Sequence, residues 1–389
     1  MTVLHCFIVY GNQTEIWSYN LLTALSSKKI RNIVAAYYFR KSSLYSINFE
    51  YVEFPFNISS RIGQKFSILQ RTFNIISHGL LRYFYDKWTY YTLRKDNINI
   101  IHSHFGPTAW RYHWISIKLN KPHVISFYGK DYECLPFQNP IWGKRYSRLF
   151  QEASVFICEG SHGANVLKSK GCPESKIKIV RLGVEVNKIP FTRRLKQVNA
   201  LKLIQIASFV EKKGHIYTLK SFIKALKIYP NITLTLVGGG DPEIKSNIIQ
   251  MVKEAKILDK VTFINSVDSN QMYDLLANHD VFIHPSCYAE NRDCEGGAPV
   301  VLLDAQATGM PIITTSHCDI PEEVLDNLTG IICPEKSIES LVDAIGRFYE
   351  MEQREYQQFS QNAYEHIINN YDMSKNAQIL NVIYQEITT

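Results

Sequence analysis

Residues 284–321 read HPSCYAENRDCEGGAPVVLLDAQATGMPIITTSHCDIP, and this stretch decides the fold class. An apolar, strand-like run at 281–283 leads into it, and a turn of small residues follows at 295–299. The apolar pattern of 300–308 predicts a short helix, and the run 312–315 predicts a second strand. A strand, a glycine-rich turn, a helix N-terminus and another strand together form an anion-binding site in α/β proteins.

Two carboxylates flank this turn, and their placement indicates what it binds. Glu295 begins the turn and Asp304 lies on the predicted helix. Because acids repel phosphate, we expect these side chains to bind hydroxyl groups while the backbone amides of the turn face the anion. The two glycines, the alanine and the proline between the acids favour this interpretation over a pair of merely solvated side chains.

The rest of the chain alternates strands and helices in two halves, separated by a polar, basic stretch with Pro190. This alternation predicts two doubly wound, Rossmann-like parallel sheets, and a chain of 389 residues exceeds the usual size of one core. We predict an N-terminal domain over 1–185, a linker over 186–200 and a C-terminal domain over 201–365. A last helix over 366–389 is predicted to pack back on the N-terminal domain. We expect the two domains to face each other across a deep cleft.

Composition excludes several classes of protein. Hydrophobic residues make up 46% of the chain and charged residues 20%, with a formal net charge of +7 and a mean hydropathy of −0.14, all ordinary for a globular protein. The apolar runs are strand-sized, so no segment is predicted to span a bilayer, and the first residues predict a buried strand rather than a signal peptide. The mild positive charge favours anionic partners and does not indicate nucleic acid.

The eight cysteines are scattered without a CxxC pair, which is typical of thiols in a reducing, cytoplasmic compartment. Cys287 and Cys294 bracket the central loop, but their spacing fits no structural zinc pattern, so no metal is predicted. The sequence also lacks the GxGxxG, GxxxxGK(S/T) and GxSxG patterns of dinucleotide-binding folds, P-loops and nucleophile elbows. Because DxD is absent too, we expect cations, amides and helix N-termini to neutralise any bound diphosphate.

Polar residues gather where the predicted strands of the first half end. Since the carboxyl ends of parallel strands meet at one edge of a sheet, these residues predict a ligand crevice. For the two histidines a structural role is as open as a catalytic one, because strand ends need polar side chains to satisfy their turns. The residues are Gly11, His102, His104, Tyr128, Asp131 and Glu159.

The segment 61–95 is basic and aromatic, and Asp86 is its only acid. A helical segment of this kind suits the headgroup region of an anionic membrane. In the alternative, its aromatic side chains face the core and its bases face water. The spread of the bases along the segment favours this alternative slightly.

Several motifs resemble glycosyltransferase family 4, whose members have the GT-B fold. The second half carries FVEKKG at 209–214, VGGGDPE at 237–243 and the whole of 281–321. The first half matches more loosely but in the family's order, with TEIW at 14–17, HSHFG at 102–106, FYGKD at 127–131, CPESKI at 172–177 and LGV at 182–184. The resemblance covers nearly the whole chain and is closest to bacterial members that build surface polysaccharides.

The resemblance implies a retaining, metal-independent hexosyltransferase without a cofactor. Its nucleotide-sugar donor would bind the C-terminal domain, and its acceptor, a saccharide or a lipid-linked saccharide, would bind the N-terminal domain. The enzyme would work in the cytoplasm, with 61–95 as a possible contact to the inner face of the membrane. The oligomeric state is not predicted.

The resemblance also assigns roles to residues. Glu295 matches the acid that holds the hydroxyls of the donor sugar, Lys213 the lysine that neutralises the leaving diphosphate, and Asp304 the acid that contacts the ribose. In isolation, Lys213 could equally be a surface lysine. The remaining donor-binding positions are Ser208, Gly238, Gly239, Gly296, Gly297, Ala298 and Pro299. Tyr128 and Asp131 fall at the family's catalytic contact in the first half, and the acceptor side would include Gly11, His102, His104 and Glu159.

The chain departs from the family's pattern at three positions. Ser208 stands where an arginine often precedes the lysine, and Tyr128 stands where a histidine is usual. The second acid, Asp304, is an aspartate one residue further along than the usual glutamate. These departures keep two alternatives open: a nucleotide-sugar epimerase of similar fold, and a non-catalytic sugar-nucleotide-binding subunit of a biosynthetic complex.

Overall fold

The computed structural model describes residues 1–12, 15–40, 49–52, 83–84 and 86–388. The chain divides into two compact units. The first unit comprises Met1–Ser126, Arg145–Ile157 and Ala377–Thr389, and the second comprises Phe127–Lys144 and Cys158–Asn376. The domain boundaries predicted from the sequence stay predictions.

The strands of the first half are β1 Thr2–Tyr10, β2 Arg31–Phe39, β3 Glu50–Val52, β4 Ile100–His104, β5 His123–Ser126, β6 Val155–Cys158 and β7 Ile177–Ile179. They form a seven-stranded sheet in the order β3-β2-β1-β4-β5-β6-β7. In the middle of the sheet β1 pairs in parallel with both neighbours, so that Val3 lies opposite Asn32 and Ile100. Continuous apolar runs such as β1 are what a parallel sheet covered on both faces requires.

The helices of the first half are α1 Ile16–Ser27, α2 Gly106–Leu119, α3 Cys134–Gln138, α4 Ile141–Glu152 and α5 Ser161–Ser169, and residues 83–84 and 86–93 are also helical. The apolar face of α1 is buried through Trp17, Leu21, Leu22 and Leu25, as the spacing predicts. Strand β3 was not predicted, because three residues are too few to carry an alternation pattern. Of the segment 61–95, residues 61–82 and 85 lie outside the described part of the chain.

The strands of the second half are β8 Leu201–Ile206, β9 Ile232–Val237, β10 Val261–Ile264, β11 Val281–His284, β12 Ile312–Thr315 and β13 Gly330–Cys333. They form a six-stranded sheet in the order β10-β9-β8-β11-β12-β13, and every neighbouring pair is parallel. The order reverses between β8 and β11, which is the switch point where ligands bind in open α/β sheets. The chain thus contains two Rossmann-like parallel sheets, and the predicted α/β class is confirmed.

The helices of the second half are α6 His215–Leu226, α7 Pro242–Glu254, α8 Ser269–Ala277, α9 Val300–Ala307, α10 Ile320–Glu323, α11 Ile338–Glu350, α12 Gln353–Asn370 and α13 Met373–Glu386. Asp241 caps α7, since its carboxylate accepts from the amide of Glu243 at 2.8 Å. Short 3-10 turns cover Glu174–Lys176, Val186–Lys188 and Glu211–Lys213. Among the described residues, no helix has both the length and the apolar character that crossing a membrane requires.

Candidate active site

The predicted donor loop, residues 295–299, lies between β11 and α9 in the second unit. Strand β11 enters the loop beside β8, at the switch point of the sheet. Pro299 occupies the N-cap position of α9 with φ −63° and ψ 121°, so the helix begins one residue later, at Val300. Ala298 is buried in an apolar cluster with Val237 and Leu302. These contacts fix the loop on the core of the unit.

The central contact of the loop is an ion pair between Glu295 and Lys213. The Nζ atom of Lys213 lies 2.7 Å from Oε2 of Glu295, and the exposed side-chain fractions are 18% and 5%. On its other oxygen, Glu295 accepts from the hydroxyl of Ser286 at 2.8 Å. Nε2 of His284 lies 3.7 Å from the same oxygen, too far for a strong hydrogen bond. The two residues with the most specific predicted roles therefore meet each other.

The neighbouring charges shift the pKa values of both Glu295 and Lys213. Burial opposes ionisation of Glu295, but Lys213, His284 and Lys212 together outweigh it and hold the pKa of this carboxyl well below its usual value. Burial lowers the pKa of Lys213, and the neighbouring Lys212 lowers it further, against the attraction of Glu295. Lys212 also pairs with Asp293, so two carboxylates match the two lysines, and an incoming anion must compete with Glu295 for Lys213.

Lys212 holds the segment just before the predicted donor loop. Its Nζ atom donates to Asp293 Oδ1 at 3.1 Å and to the carbonyl oxygen of Cys294 at 2.6 Å. This lysine was not among the predicted site residues, although the pair of lysines before Gly214 is the local pattern that indicates it. Its contacts keep Glu295 within reach of Lys213.

The glycines of the donor loop allow close contacts with other segments, and the amide of one of them already donates a hydrogen bond within the chain. A Cβ atom on Gly129 would lie 2.4 Å from Cα of Gly296, so the two backbones touch and neither position tolerates a side chain. The amide of Gly297 donates to Oε2 of Glu159 at 2.9 Å. An amide predicted to face the donor therefore has an acceptor within the chain, and that acceptor is a carboxylate.

Two glycines of the VGGG motif differ in how closely other atoms approach them. A Cβ atom on Gly238 would lie 2.1 Å from the carbonyl oxygen of Ala207, so the close approach of that backbone requires glycine. On Gly239 a Cβ atom would meet no atom within 4 Å, so open space lies beside it. The amide nitrogen of Ser208 would lie 3.6 Å from a Cβ atom on Gly238, and the amide of Phe209 donates to the carbonyl oxygen of Gly239 at 2.7 Å. Only Gly239 leaves the room that a nucleotide would need.

Family models match both halves of the chain. The model of Glycosyltransferase Family 4 matches residues 15–188, and the model of Glycosyl transferases group 1 matches residues 190–366. The chain therefore consists of a Glycosyltransferase Family 4 domain followed by a Glycosyl transferases group 1 domain. Two curated relatives are named for polysaccharide biosynthesis. The amylovoran biosynthesis glycosyltransferase AmsK of Erwinia amylovora is 27% identical over 57% of this chain. WcaL of Salmonella typhimurium, which is named for colanic acid biosynthesis, is 28% identical over 63% of the chain. The matched regions span 51% and 60% of these relatives' own length.

Solved structures agree on the fold of this glycosyltransferase. HepE of Anabaena in complex with UDP-glucose covers 99% of the chain and 100% of its own, with a TM-score of 0.74 and 13% identity. A glycosyltransferase from Rickettsia africae covers 99% of the chain and 98% of its own, with a TM-score of 0.73 and 16% identity. The predicted GT-B fold is confirmed.

Asp304 of the glycosyltransferase lies on α9, where the hydroxyl of Tyr273 donates to its Oδ1 at 3.2 Å. Burial raises the pKa of Asp304 to about 7, although the bond from Tyr273 acts in the opposite direction. The structure records no contact between Asp304 and Glu295, which lies at the other end of the loop. Its predicted contact with a ribose stays a prediction.

Tyr128 and Asp131 form a local turn of the glycosyltransferase. The backbone amide of Tyr128 donates to Oδ1 of Asp131 at 3.0 Å, and Asp131 is buried. Through Gly129 this turn touches the donor loop at Gly296. The geometry gives Asp131 a role in holding the turn. Its predicted catalytic role, and that of Tyr128, stay predictions.

In the first unit, His102 and His104 are buried in the core, as is His5. The two nitrogens of His102 lie 2.5 Å from the hydroxyl of Tyr384 and 2.7 Å from that of Ser126. Nε2 of His104 lies 3.1 Å from Nδ1 of His5. This burial favours the structural interpretation of both histidines.

The three histidines are also the one group in the described chain that brings metal-ligand atoms within 4.8 Å of one another. Stacked rings and nitrogens that already form hydrogen bonds do not converge on a cation, however. His102 and His104 stack with ring centroids 4.3 Å apart. Gly11, the remaining acceptor-side prediction in this unit, has φ 95°, and a Cβ atom there would lie 2.4 Å from the carbonyl oxygen of Arg40. The backbone alone explains this glycine.

Sequence reasoning missed a second layer of side chains behind the donor loop. The amide of Glu295 donates to Nε2 of His317 at 3.2 Å, and Nδ1 of His317 lies 2.7 Å from Oε1 of Glu335. Oε2 of Glu335 accepts from the amide of Tyr288 at 3.0 Å. The three segments join only in the fold, so no local pattern could have grouped them.

Proposed function

We propose that this glycosyltransferase is a retaining, metal-independent hexosyltransferase that moves a sugar from a nucleotide-sugar donor to a saccharide or lipid-linked saccharide acceptor during polysaccharide synthesis. The pairing of Lys213 with Glu295 at 2.7 Å, beside the glycine-rich turn, is the observation that carries this proposal. The names of AmsK and WcaL support a polysaccharide product, and HepE with UDP-glucose supports a nucleotide-sugar donor.

The pair offers both partners that a nucleotide-sugar needs. A departing diphosphate develops negative charge, and a lysine already fixed nearby stabilises that charge without reorganising. In this proposal the diphosphate replaces Glu295 as the anion beside Lys213. The freed carboxylate oxygen of Glu295 then accepts from a hydroxyl of the sugar. Each charge exchanges one partner for another, so no charge is left buried alone.

Glu159 would take part in the same exchange. Burial raises the pKa of its carboxyl well above the usual value, although the amide of Gly297 acts in the opposite direction. A buried carboxylate on a loop amide occupies the position that an oxygen of the donor would take. We propose that the donor displaces Glu159 from Gly297 when it binds.

The membrane part of the proposal rests on the described residues of the segment 83–95. Tyr83, Phe84 and Tyr91 are 55%, 59% and 50% exposed. Lys87 lies over the ring of Tyr83 at 5.5 Å, and Arg94 lies over the ring of Tyr91 at 4.8 Å. Exposed aromatic and basic side chains suit an anionic headgroup layer, which would bring a cytoplasmic enzyme to a lipid-linked acceptor.

A donor screen tests the proposal. The purified chain would be incubated with a panel of nucleotide-sugars in EDTA, with and without lipid-linked oligosaccharide acceptors, and nucleotide release would be measured. We expect release that depends on the acceptor, and a product with the anomeric configuration of the donor by NMR. Conversion of the donor sugar without nucleotide release would instead indicate an epimerase. Binding of the donor without turnover for any acceptor would indicate a non-catalytic subunit.

A further inference from the structure

Four side chains behind the donor loop form what we term the thiol–histidine cluster: Cys294, Cys318, His162 and His317. The sulfur of Cys318 lies 3.3 Å from Nε2 of His317. The hydroxyl of Tyr288 lies 3.9 Å from this sulfur and 3.2 Å from Nε2 of His162. The amide of Glu295, the residue after Cys294, donates to Nε2 of His317 at 3.2 Å, which brings Cys294 beside this pair. Cys318 has φ 48° and is one of nine non-glycine residues of the described chain with a positive φ.

Each imidazole of the cluster has its own carboxylate. Nδ1 of His317 lies 2.7 Å from Oε1 of Glu335, and Nε2 of His162 lies 3.5 Å from Oε1 of Glu133. A sulfur beside an imidazole that a carboxylate orients is the arrangement that activates cysteine nucleophiles. The sequence gives no sign of it, because the two acids lie far along the chain from the cysteine.

The electrostatics agree with this geometry. Hydrogen bonds that the protonated imidazole donates to Cys318 and Glu133 raise the pKa of His162 to about 10. Burial opposes the charge on His317, but Cys318 and Glu335 raise its pKa to about 9. The hydrogen bond from Cys294, followed by those from the two imidazoles, lowers the pKa of Cys318. The other ionisable groups that act on the cluster are Tyr132, Tyr288 and Asp319.

The remaining cysteines contrast with Cys318. All eight lie in the described part of the chain, and Cys318 alone among them is not buried. Burial raises the pKa of Cys172 to about 12 and that of Cys287 to about 11. Thiols of that kind are largely inert, whereas a partly exposed thiolate between imidazoles is reactive.

We propose that Cys318 is a thiol-modification site that reacts with peroxides and soft electrophiles, and that Cys294 converts its oxidised form into an intramolecular disulfide. In the first step the Cys318 thiolate attacks a peroxide oxygen, the O–O bond breaks, hydroxide leaves and a sulfenic acid forms. The sulfur is oxidised by two electrons and the peroxide is reduced. In the second step the sulfur of Cys294 attacks that of Cys318, and the S–O bond breaks. Water leaves with the Cys294 proton.

The disulfide would act on the donor loop. Cys294 directly precedes Glu295, and Nε2 of His317 is the acceptor for the amide of Glu295. That nitrogen serves one partner at a time: unprotonated it accepts the amide, and protonated it donates to the Cys318 sulfur. Oxidation that consumes the thiolate therefore changes the hydrogen bonding of Glu295. The expected reversible loss of transfer rests on the proposed function, whereas the thiol chemistry does not.

Mass spectrometry of the full chain tests the thiol chemistry without any assay of transfer. At about pH 5.5, iodoacetamide should alkylate Cys318 at least about tenfold faster than any other cysteine. After peroxide treatment, the wild type should lose two hydrogen masses and yield a peptide linking Cys294 to Cys318. Cys294→Ser should instead trap a sulfenic acid on Cys318 that dimedone labels. Cys172→Ser, which removes a thiol elsewhere, should behave as the wild type.

Three results would overturn the proposal. One is alkylation of Cys318 at the rate of the buried thiols, and another is a peroxide-treated wild type without the linked peptide. The third is stoichiometric zinc in the purified protein that Cys318→Ser removes, which would make the cluster a metal site. Because Cys318→Ser could unfold the loop, His162→Gln gives a second test. It keeps the thiol and should slow alkylation of Cys318 by about tenfold.

Discussion

The chain buries titratable side chains in two regions, and the two regions treat charge in opposite ways. In the first unit, His5, His102 and His104 lie in the core as neutral rings, and burial lowers the pKa of all three. In the second unit, Glu295 is equally buried but keeps its charge, because Lys213 and Lys212 face it. His104 ends a parallel strand, and Glu295 lies in the loop that follows another. What separates a core cluster from a candidate active site is the presence of a counter-ion.

Removing Lys213, the counter-ion of Glu295, tests this comparison most directly. Lys213→Met keeps the length of the side chain and removes its charge, so nothing stabilises the leaving diphosphate at this position. We expect turnover to fall by a factor of about 10²–10³, as for other lost transition-state contacts. Nucleotide release with saturating donor measures it.

Lys220→Met is the matched control, because this lysine is exposed on α6 and should tolerate the change. Circular dichroism would establish that Lys213→Met is folded. Near-normal turnover of a folded Lys213→Met would refute the assigned role. Lys213→Met leaves Glu295 without its nearest cation, and Glu295→Ala leaves Lys213 without its anion. Either loss costs about 3–5 kcal/mol of stability, so turnover is compared only for variants that are shown to be folded.

The same comparison shows how far the sequence reached. Strands such as β11 and β12, and the cap at Asp241, were predictable because their signals are local. The ion pair was not, since Lys213 and Glu295 are 82 residues apart and no local pattern joins them. The burial of His102 was equally hidden, because its partner Tyr384 comes from the far end of the chain.

Glu159 and Cys318 show a different limit. Glu159 was predicted on the acceptor side, yet it binds the amide of Gly297 in the donor loop. Cys318 was not predicted as a functional residue, because Glu335, which orients its neighbour His317, lies 18 residues from that histidine and a lone cysteine carries no pattern. A sequence predicts which residues end strands, but the packing of loops decides which of them meet.

Acidification should weaken the histidine region specifically. Burial lowers the pKa of His5 from 6.5 in the unfolded chain to about 4 in the folded one. Between these values the unfolded chain binds more protons, so lowering the pH removes stability that is fully present above pH 6.5. In His5→Leu this loss is absent. The free energy of unfolding of the wild type should therefore fall relative to the variant, by about 3 kcal/mol at pH 4.

Urea unfolding of both proteins between pH 7.5 and 4 measures this difference in the free energy of unfolding. Buried acids that titrate in the same range contribute equally to both proteins, so their contribution cancels. Asp319, whose pKa burial raises to about 6, is one of them. A difference that stays constant over the whole range would mean that folding does not lower the pKa of His5.

At neutral pH the same variant should cost stability through its lost hydrogen bonds. His5→Leu removes the hydrogen bonds that His5 forms with Oδ1 of Asn32 at 3.0 Å and with Nε2 of His104 at 3.1 Å. A buried polar group without a partner costs about 1–3 kcal/mol. Turnover per folded molecule should not change, because the side chain touches only the core of the first unit. A parallel loss of turnover with intact folding would move this cluster into the active site.

The smallest effect is expected at Asp304, where burial without a counter-ion raises the pKa to about 7. If its carboxylate binds the ribose, the donor should bind better as the pH rises through 7, because the charged form accepts stronger hydrogen bonds. Asp304→Asn should raise the KM for the donor about tenfold and abolish this acidic limb of kcat/KM. Tyr273→Phe is the informative partner variant: it removes the hydroxyl that lowers the pKa of Asp304, so the limb should move to higher pH. If the acidic limb of kcat/KM is unchanged in Asp304→Asn, another group causes that limb. The carboxyl of Asp304 is then a part of the core, like the buried histidines.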